Sequence, residues 1–425
     1  MRKRPFLALA ILAAASFLLS DSPAFAAKTK VTFWFPGETG QEEVFAASAK
    51  RFEAKNPDIE VVNTPLPPNS ADINTRLNAA KLSNTYPDVF AAFLIYMGTR
   101  DSQKEFASLD SYVAKWNGKS DLLDSALSMG YYKGELLGLG FFPAPIVPSY
   151  RKDYFAEAGL DPNRPPRDWN ELHEFAKKLV KRDSAGNVLR GGIDIPNTTA
   201  PDLIHMETLL RANGSKVFDE EKDEPSWTDP GAIGALDFIA TLWKEKLSMP
   251  HANFQWAEHP FAKGNSAMGW LPNPVLGTLF KNDPSLKQKI GFTPPMGPVR
   301  PYTFCGYRLF TIGKDSKVKN EAWRLIEFMM EPEEMWDRYQ KLVIPPVRKS
   351  LTDRFIQEDP VLNKAVADSV KWGKGKAVLA WTSIGDKYLG QAYEEAINGK
   401  KTSEQALRDA DRNARVELKR LGYMK

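Results

Sequence analysis

Apolar residues in this chain recur with two spacings, and their alternation organises the first hundred positions. Val31-Thr-Phe-Trp-Phe35 has the composition of a strand and runs into a turn at 36–40. The spacing then predicts a helix over 41–55, in which Val44, Ser48 and Phe52 share one face and Asn56-Pro57 ends the run. A second strand is expected over 58–63. A helix capped by Ser70 follows, with Ile73, Leu77 and Ala80 on one side, and then an apolar strand over 89–95. Strands alternating with helices in this way argue for a parallel, wound sheet.

The pattern changes over 131–161. Tyr131 to Phe142 has strand content broken by the turn at Lys133-Gly134, and then Pro143, Pro145 and Pro148 arrive within six residues. Proline has no N–H to give a ladder, so an extended, partly unpaired crossover is expected there instead of a regular central strand. A short helix over 152–158 is stopped by Gly159. Asp168 and Glu171 have capping-box spacing ahead of Leu172, Phe175, Ala176, Leu179 and Val180, which line one helical face. Further on, a strand is expected over 191–195, a helix over 201–212, and another from Pro230 with Ile233, Leu236, Ala240, Trp243 and Leu247 facing inward. Strands follow over 290–295 and 307–312, then helical stripes from Ala322 to Met330 and from Met335 to Leu342. The C-terminal helix is expected to take Ser403 as cap and Gly422 as stop. The Met and aromatic stripes are read as core, since helical spacing alone accounts for them.

At 425 residues the chain exceeds what one hydrophobic core serves, so two lobes are expected. Arg2, Lys3 and Arg4 precede a 14-residue apolar run from Phe6 to Leu19 and the small-residue site Ala24-Phe25-Ala26. The run is too short to span a bilayer and fits a cleavable signal peptide over 1–26, with export to the periplasm. Cleavage would leave 54 Lys and Arg against 52 Asp and Glu, so the formal charge falls from +4 to +2. That balance gives no argument for nucleic acid or an anionic membrane as partner. Cys305 is the only cysteine, which excludes an intrachain disulfide. The acidic run 219–224 lacks the alternating oxygen ligands and the glycine of a calcium loop and is read as a solvated loop.

The order strand, proline-rich crossover, Tyr150-x-Lys152-Asp153-x-Phe155 and Glu157-Ala-Gly-Leu-Asp161 resembles the interdomain crossing of the extracellular solute-binding proteins of ABC transporters, in the carbohydrate-binding family that includes maltose-binding protein. FWFPGETG, SNTYPDVFAAF, FAKGNSAMGW, the block from TFCGYRLFTIGKDS to IPPVRKS, and NGKKTSEQALRDA match it collinearly, over nearly all of the chain after residue 26. The resemblance implies an α/β, two-lobed periplasmic-binding-protein-like fold, with a wound sheet in each lobe and a ligand cleft between lobes that close about a hinge. It places the crossings near Pro143, Gly306 and Pro346. The lobes are then 27–142 plus 307–345, and 143–306 plus 346–425.

The resemblance further implies a carbohydrate ligand and an ABC permease as membrane partner; a monomer is expected, and no cofactor or metal is called from the sequence. Glu38 and Thr39 stand at polar positions that contact sugar hydroxyls in related proteins. Phe93 and Tyr96 lie near the place where the family often has a Trp or an acid. Asn197 and Thr198 follow Ile195-Pro196 where a cleft contact is expected. Trp270 is the candidate stacking ring and Asn273 a hydroxyl partner, while Tyr307 and Arg308 replace small residues of the family. Sugars offer C–H patches to rings and hydroxyls that need partners once desolvated. Each assignment has a plain alternative: Trp270 as core, Glu38 as a helix cap, Arg308 pointing outward. An Arg308 guanidinium in the cleft would instead favour an acidic sugar or a phosphate.

The catalytic alternatives find little support. His251 and His259 flank Trp256 with Glu258 adjacent, but sequence spacing supplies no third metal ligand, and no HExxH occurs. There is no nucleophile elbow, P-loop or dinucleotide glycine pattern. A secreted glycosidase or lyase is the rival class, because paired carboxylates are brought together in space and not in sequence. A ligand-sensing protein that docks on a receptor would carry the same sequence signature.

Overall fold

The computed structural model describes residues 27–67, 70–198, 203–219, 222–251, 256–376 and 379–424. The signal-peptide reading of 1–26, the side chain of Ser70 as a cap and the start of the helix expected from Pro201 lie outside these residues. The main elements are β1 (Thr29–Pro36), α1 (Gln41–Lys55), β2 (Ile59–Leu66), α2 (Ser70–Leu82), β3 (Val89–Phe93), β4 (Leu139–Arg151), α3 (Trp169–Leu179), α4 (Ile204–Ala212) and α5 (Pro230–Lys244). They continue as β5 (Met268–Pro272), α6 (Asn273–Asn282), β6 (Ile290–Phe292), β7 (Thr303–Ile312), α7 (Lys319–Met329), α8 (Pro332–Leu342), α9 (Leu362–Trp372), β8 (Gly373–Lys374), α10 (Thr382–Ile397) and α11 (Ser403–Arg420).

One eight-stranded sheet runs through the molecule in the order β5-β4-β7-β3-β1-β2, with β6 added to β4 and β8 to β7. The β3-β1-β2 part is parallel, as alternating strands and helices require. β7 is antiparallel to both β3 and β4, so two long strands carry the sheet from one half of the molecule into the other. Pro143, Pro145 and Pro148 all sit inside the 13-residue strand β4, which is longer than expected but is, as expected, an extended crossing paired on one edge only along this stretch. The strand tolerates them because its partner changes along its length. Over 139–145 its register is with β7 alone, and over 146–148 with β5 alone, so each stretch keeps an open edge that needs no N–H.

Two hydrophobic clusters form. The first holds Phe33, Phe35, Phe45, Phe52, Phe141, Phe310 and Trp336, with the Phe141 and Phe310 rings stacked at 3.8 Å. The second holds Trp169, Phe175, Leu236, Trp227, Trp381 and Tyr393. β4 gives Leu139, Phe141 and Val147 to the first and Ile146 and Tyr150 to the second, whereas β7 gives Phe304 to the second and Cys305 to Ile312 mostly to the first. Val347, Leu351, Phe355, Leu362, Val366 and Val370 join the first cluster; Leu379 and Trp381 join the second.

Local signals are realised with three departures. Asp168 caps α3 by accepting the Glu171 N–H at 2.8 Å, and Asp229 caps α5 ahead of Pro230 by accepting the Ala232 N–H at 2.8 Å. The cap of α11 is Thr402 and not Ser403: the Thr402 hydroxyl accepts the Gln405 N–H, and Ser403 is already helical. The third strand ends at Phe93 and passes into a single 3-10 turn over Leu94–Tyr96. The segment 191–195 is no strand. Only an isolated bridge joins Gly191 to Ser266, because its N–H groups go to three places: Gly191 to Asn265, Gly192 and Ile193 to Leu247, Asp194 to Met268. A Cβ on Gly192 would stand 2.1 Å from the Ala176 carbonyl oxygen, so that glycine permits the close packing of this segment on α3.

Candidate functional site

The loop after β1, Phe142 of β4, one face of α6 and the end of α8 with the chain leaving it line a cavity of about 460 Å³. Its size falls within the range of about 300–1,000 Å³ usual for small-molecule sites. Glu38, Thr39, Gln41, Phe142, Pro274, Thr278, Lys281, Lys341 and Val343 line it. The loop reaches it because Gly40 adopts φ +80, a left-handed turn that delivers the chain directly into α1.

Glu38 is the polar centre of this wall. One carboxylate oxygen pairs with Arg308 of β7, and the other accepts the Gln41 side-chain amide at 2.9 Å. Arg308 is 9% exposed, with its guanidinium 4.8 Å from the Phe93 ring centroid and 4.7 Å from that of Phe142. Burial lowers the Arg308 pKa, and the Glu38 carboxylate opposes that shift. The result is a carboxylate held in place from behind, one of whose residue's neighbours, Phe142, offers an apolar surface to the same cavity. Such a wall can accept hydrogen bonds from hydroxyl groups while presenting a ring to C–H patches.

The structure brings some sequence candidates together and separates others. Glu38, Thr39, Phe93 and Arg308 form one group, and Tyr96 meets Phe93 edge to face at 6.4 Å. Asn273 approaches from α6, but it is 3% exposed and its amide donates to the Val343 carbonyl at 3.4 Å. Tyr307 stands on the opposite face of β7 from Arg308, as successive strand residues must. It is 4% exposed, and its hydroxyl donates to Ser125 at 2.6 Å, so its ring belongs to the first core and not to a ligand surface. Trp270 belongs to the second core, 9% exposed and edge-on to His205 at 6.1 Å. Asn197 is half-buried and accepts the His251 backbone N–H at 2.7 Å; Thr198 beside it is also half-buried. Phe142, Gln41, Lys281, Lys341 and Val343 were not singled out by the sequence reading. Only Phe142 had a usable signal, its place at the end of the aromatic run before Pro143.

A second cavity, of about 550 Å³, lies against Arg211, Lys216, Phe218, Arg300, Tyr302, Lys371 and Trp372. Arg211 is 5% exposed, and its Nε and one terminal nitrogen are buried without hydrogen-bond partners among the described residues. This wall is strongly basic, with Asp219 as the acidic residue lining it.

The residues 37–336 match the family described as bacterial extracellular solute-binding protein. Among curated relatives, the sn-glycerol-3-phosphate-binding periplasmic protein UgpB of Escherichia coli (strain K12) is 22% identical over 426 residues, covering 93% of each chain. Solved structures with the same fold include a cyclic alpha-maltosyl-1,6-maltose binding protein from Arthrobacter globiformis, with TM-score 0.79 and 21% identity over 91% of this chain and 98% of that one. The sugar-binding protein MalE of Xanthomonas citri gives TM-score 0.79 and 19% identity over 93% and 98%. The ABC substrate-binding protein Lmo0181 from Listeria monocytogenes, in complex with cycloalternan, gives 0.72 and 24% over 94% and 100%. With a family match across most of its length and two cores joined by a shared sheet, the chain belongs to the bacterial extracellular solute-binding proteins.

Proposed function

We propose that this chain is the exported substrate-binding component of an ABC importer, and that it captures a neutral oligosaccharide or glycoside in the cavity at Glu38. The observation that carries this reading is the Glu38 carboxylate, fixed by Arg308 and Gln41 and placed beside Phe142 at the cavity wall. The Arg308 charge is matched by the Glu38 carboxylate, although its Nη1 is buried without a hydrogen-bond partner among the described residues, so this wall suits a neutral sugar better than an acidic one. The sugar-binding neighbours support the ligand class. The chain acts as a binder and not as a catalyst. We take its lobes as 27–142 with 307–370, and 143–306 with 379–424; the packing of Val347 to Val370 with the first core supports a last crossing after Val370 in place of one near Pro346. Closure of these lobes on ligand, docking of the closed form on permease subunits, a monomeric state, and release from a signal peptide after Ala26 complete the reading.

One observation favours a second ligand class, a phosphorylated polyol: the buried, incompletely partnered Arg211 in the basic cavity, in a chain related to a glycerol-3-phosphate-binding protein. A thermal-shift screen of neutral oligosaccharides and glycerol phosphate esters separates the two. Stabilisation by a neutral oligosaccharide, lost in Glu38→Ala and kept in Arg211→Met, is expected. Stabilisation only by phosphate esters, lost in Arg211→Met, establishes the second class instead. Hydrolysis of the bound glycan would overturn the binding-protein reading.

A further inference from the structure

Three of the four histidines of this chain gather at one place in the second half of the molecule. His205 comes from α4, while His251 and His259 flank the segment 252–255, which is outside the described residues. His251 Nε2 lies 2.7 Å from Asp194 Oδ1, and His259 Nδ1 lies 3.9 Å from Asp194 Oδ2. One donor atom from each of Asp194, His251 and His259 falls within 4.8 Å of the other two. His205 stands next to this group, its ring centroid 5.8 Å from that of His259.

Two features set the cluster apart from ordinary core packing. His259 is 1% exposed and His205 4%, and neither ring nitrogen of either has a hydrogen-bond partner among the described residues. An unmet buried polar group costs about 1–3 kcal/mol, so four such nitrogens are a large debt for packing alone to justify. The surroundings also hold the donors in orientation, as outer groups do around metal ions. Asp194 Oδ2 accepts the Phe261 backbone N–H at 2.9 Å, which fixes the carboxylate, and Asn197 accepts the His251 backbone N–H at 2.7 Å, which fixes the main chain that carries that ring.

We propose that Asp194, His251 and His259 bind one divalent transition-metal ion, with zinc the fitting ion and the His205 ring beside the group. Two imidazoles and a carboxylate are donors that zinc accepts at about 2.0–2.2 Å, which sets tetrahedral donors about 3.4 Å apart. Shifts of about 1 Å bring the three donors to that spacing. The ion would tie residues 251 and 259, and with them Trp256, to the segment bearing Asp194. Trp256 stacks on His259 at 4.7 Å and packs against both hydrophobic clusters, so the tie acts where the two halves meet.

The test uses tag-free protein stripped with chelator and titrated with Zn²⁺, and in parallel with Co²⁺. One equivalent per chain, a raised Tm and visible ligand-field bands with Co²⁺ are expected. H259Q and H251Q should each weaken Zn²⁺ binding by more than about 100-fold, since even outer-shell losses reach 10–100-fold. H173Q, which alters the histidine paired with Glu245 elsewhere, should bind as the parent does. H251Q carries the decision if H259Q does not fold. Absence of uptake by the stripped parent, or parental affinity in folded H251Q, overturns the proposal.

Discussion

Arg308 and Glu38 are 270 positions apart in the chain and form an ion pair between β7 and the loop after β1. The Arg308 side chain is 11% exposed and the Glu38 side chain 36%, so removing either partner has unequal consequences. Losing Glu38 strands a buried cation between two rings, whereas losing Arg308 leaves a carboxylate that water can reach.

Glu38→Gln should therefore destabilise the protein by about 1–3 kcal/mol, below the fully buried limit of about 3–5 because water reaches Glu38. Arg308→Met should cost less than Glu38→Gln, and the double variant should recover part of the loss. Urea midpoints of the four proteins check this; additive single effects would show that the pair is not coupled.

Trp270→Ala removes a ring from the second core, and it should lower stability by about 3–5 kcal/mol. Ligand affinity per folded molecule should change little. Titration calorimetry at a temperature where the variant is folded checks the second half of this statement, and a large loss of affinity would return Trp270 to the binding surface.

Gly98, in the short helix Met97–Ser102, faces the backbone of Leu379, and a Cβ there would lie 2.6–2.8 Å from three of its main-chain atoms. Met97 belongs to the first cluster and Leu379 to the second. Gly98→Ala should wedge the halves apart, at about 1–3 kcal/mol of overpacking. Weaker ligand binding and a larger radius of gyration with ligand, both relative to the parent, are the expected readings by calorimetry and small-angle scattering.

Burial holds His205 at a pKa of about 3 and His259 at about 4, each depressed from 6.5. A group with a lowered folded pKa is protonated more readily when unfolded, so acid favours unfolding. The metal-free protein should keep this stability above pH 6.5 and lose it as pH falls through the window from 6.5 to about 3–4. His205→Leu should flatten the fall in Tm between pH 7 and 5; an unchanged slope would show that His205 is not the titrating group.

What the sequence made legible was local or periodic. Asp168 three residues before Glu171, Pro230 at a helix start and the spacing of Val44, Ser48 and Phe52 each report a physical constraint that acts within a turn or two. The extended, one-sided crossing at Pro143 was legible from the prolines, but its length and its partner β7, some 160 residues away, were not, because pairing is set by tertiary contact. Period two places Tyr307 and Arg308 on opposite faces but does not tell which face is core; Tyr307 lies in the first core, and Arg308 stands behind Glu38 at the cavity wall. Asp194 could not be joined to His251 and His259, because its approach depends on how 191–195 passes Met268.

The three prolines of β4 also bear on how this protein behaves among its own copies. β4 and β7 are the strands shared by the two halves of the sheet. A free strand edge with regular N–H groups is a template for a strand from another molecule. At Pro143, Pro145 and Pro148 that template lacks an N–H at three of six successive positions, so the strand that links the two cores is poorly suited to recruit a neighbour.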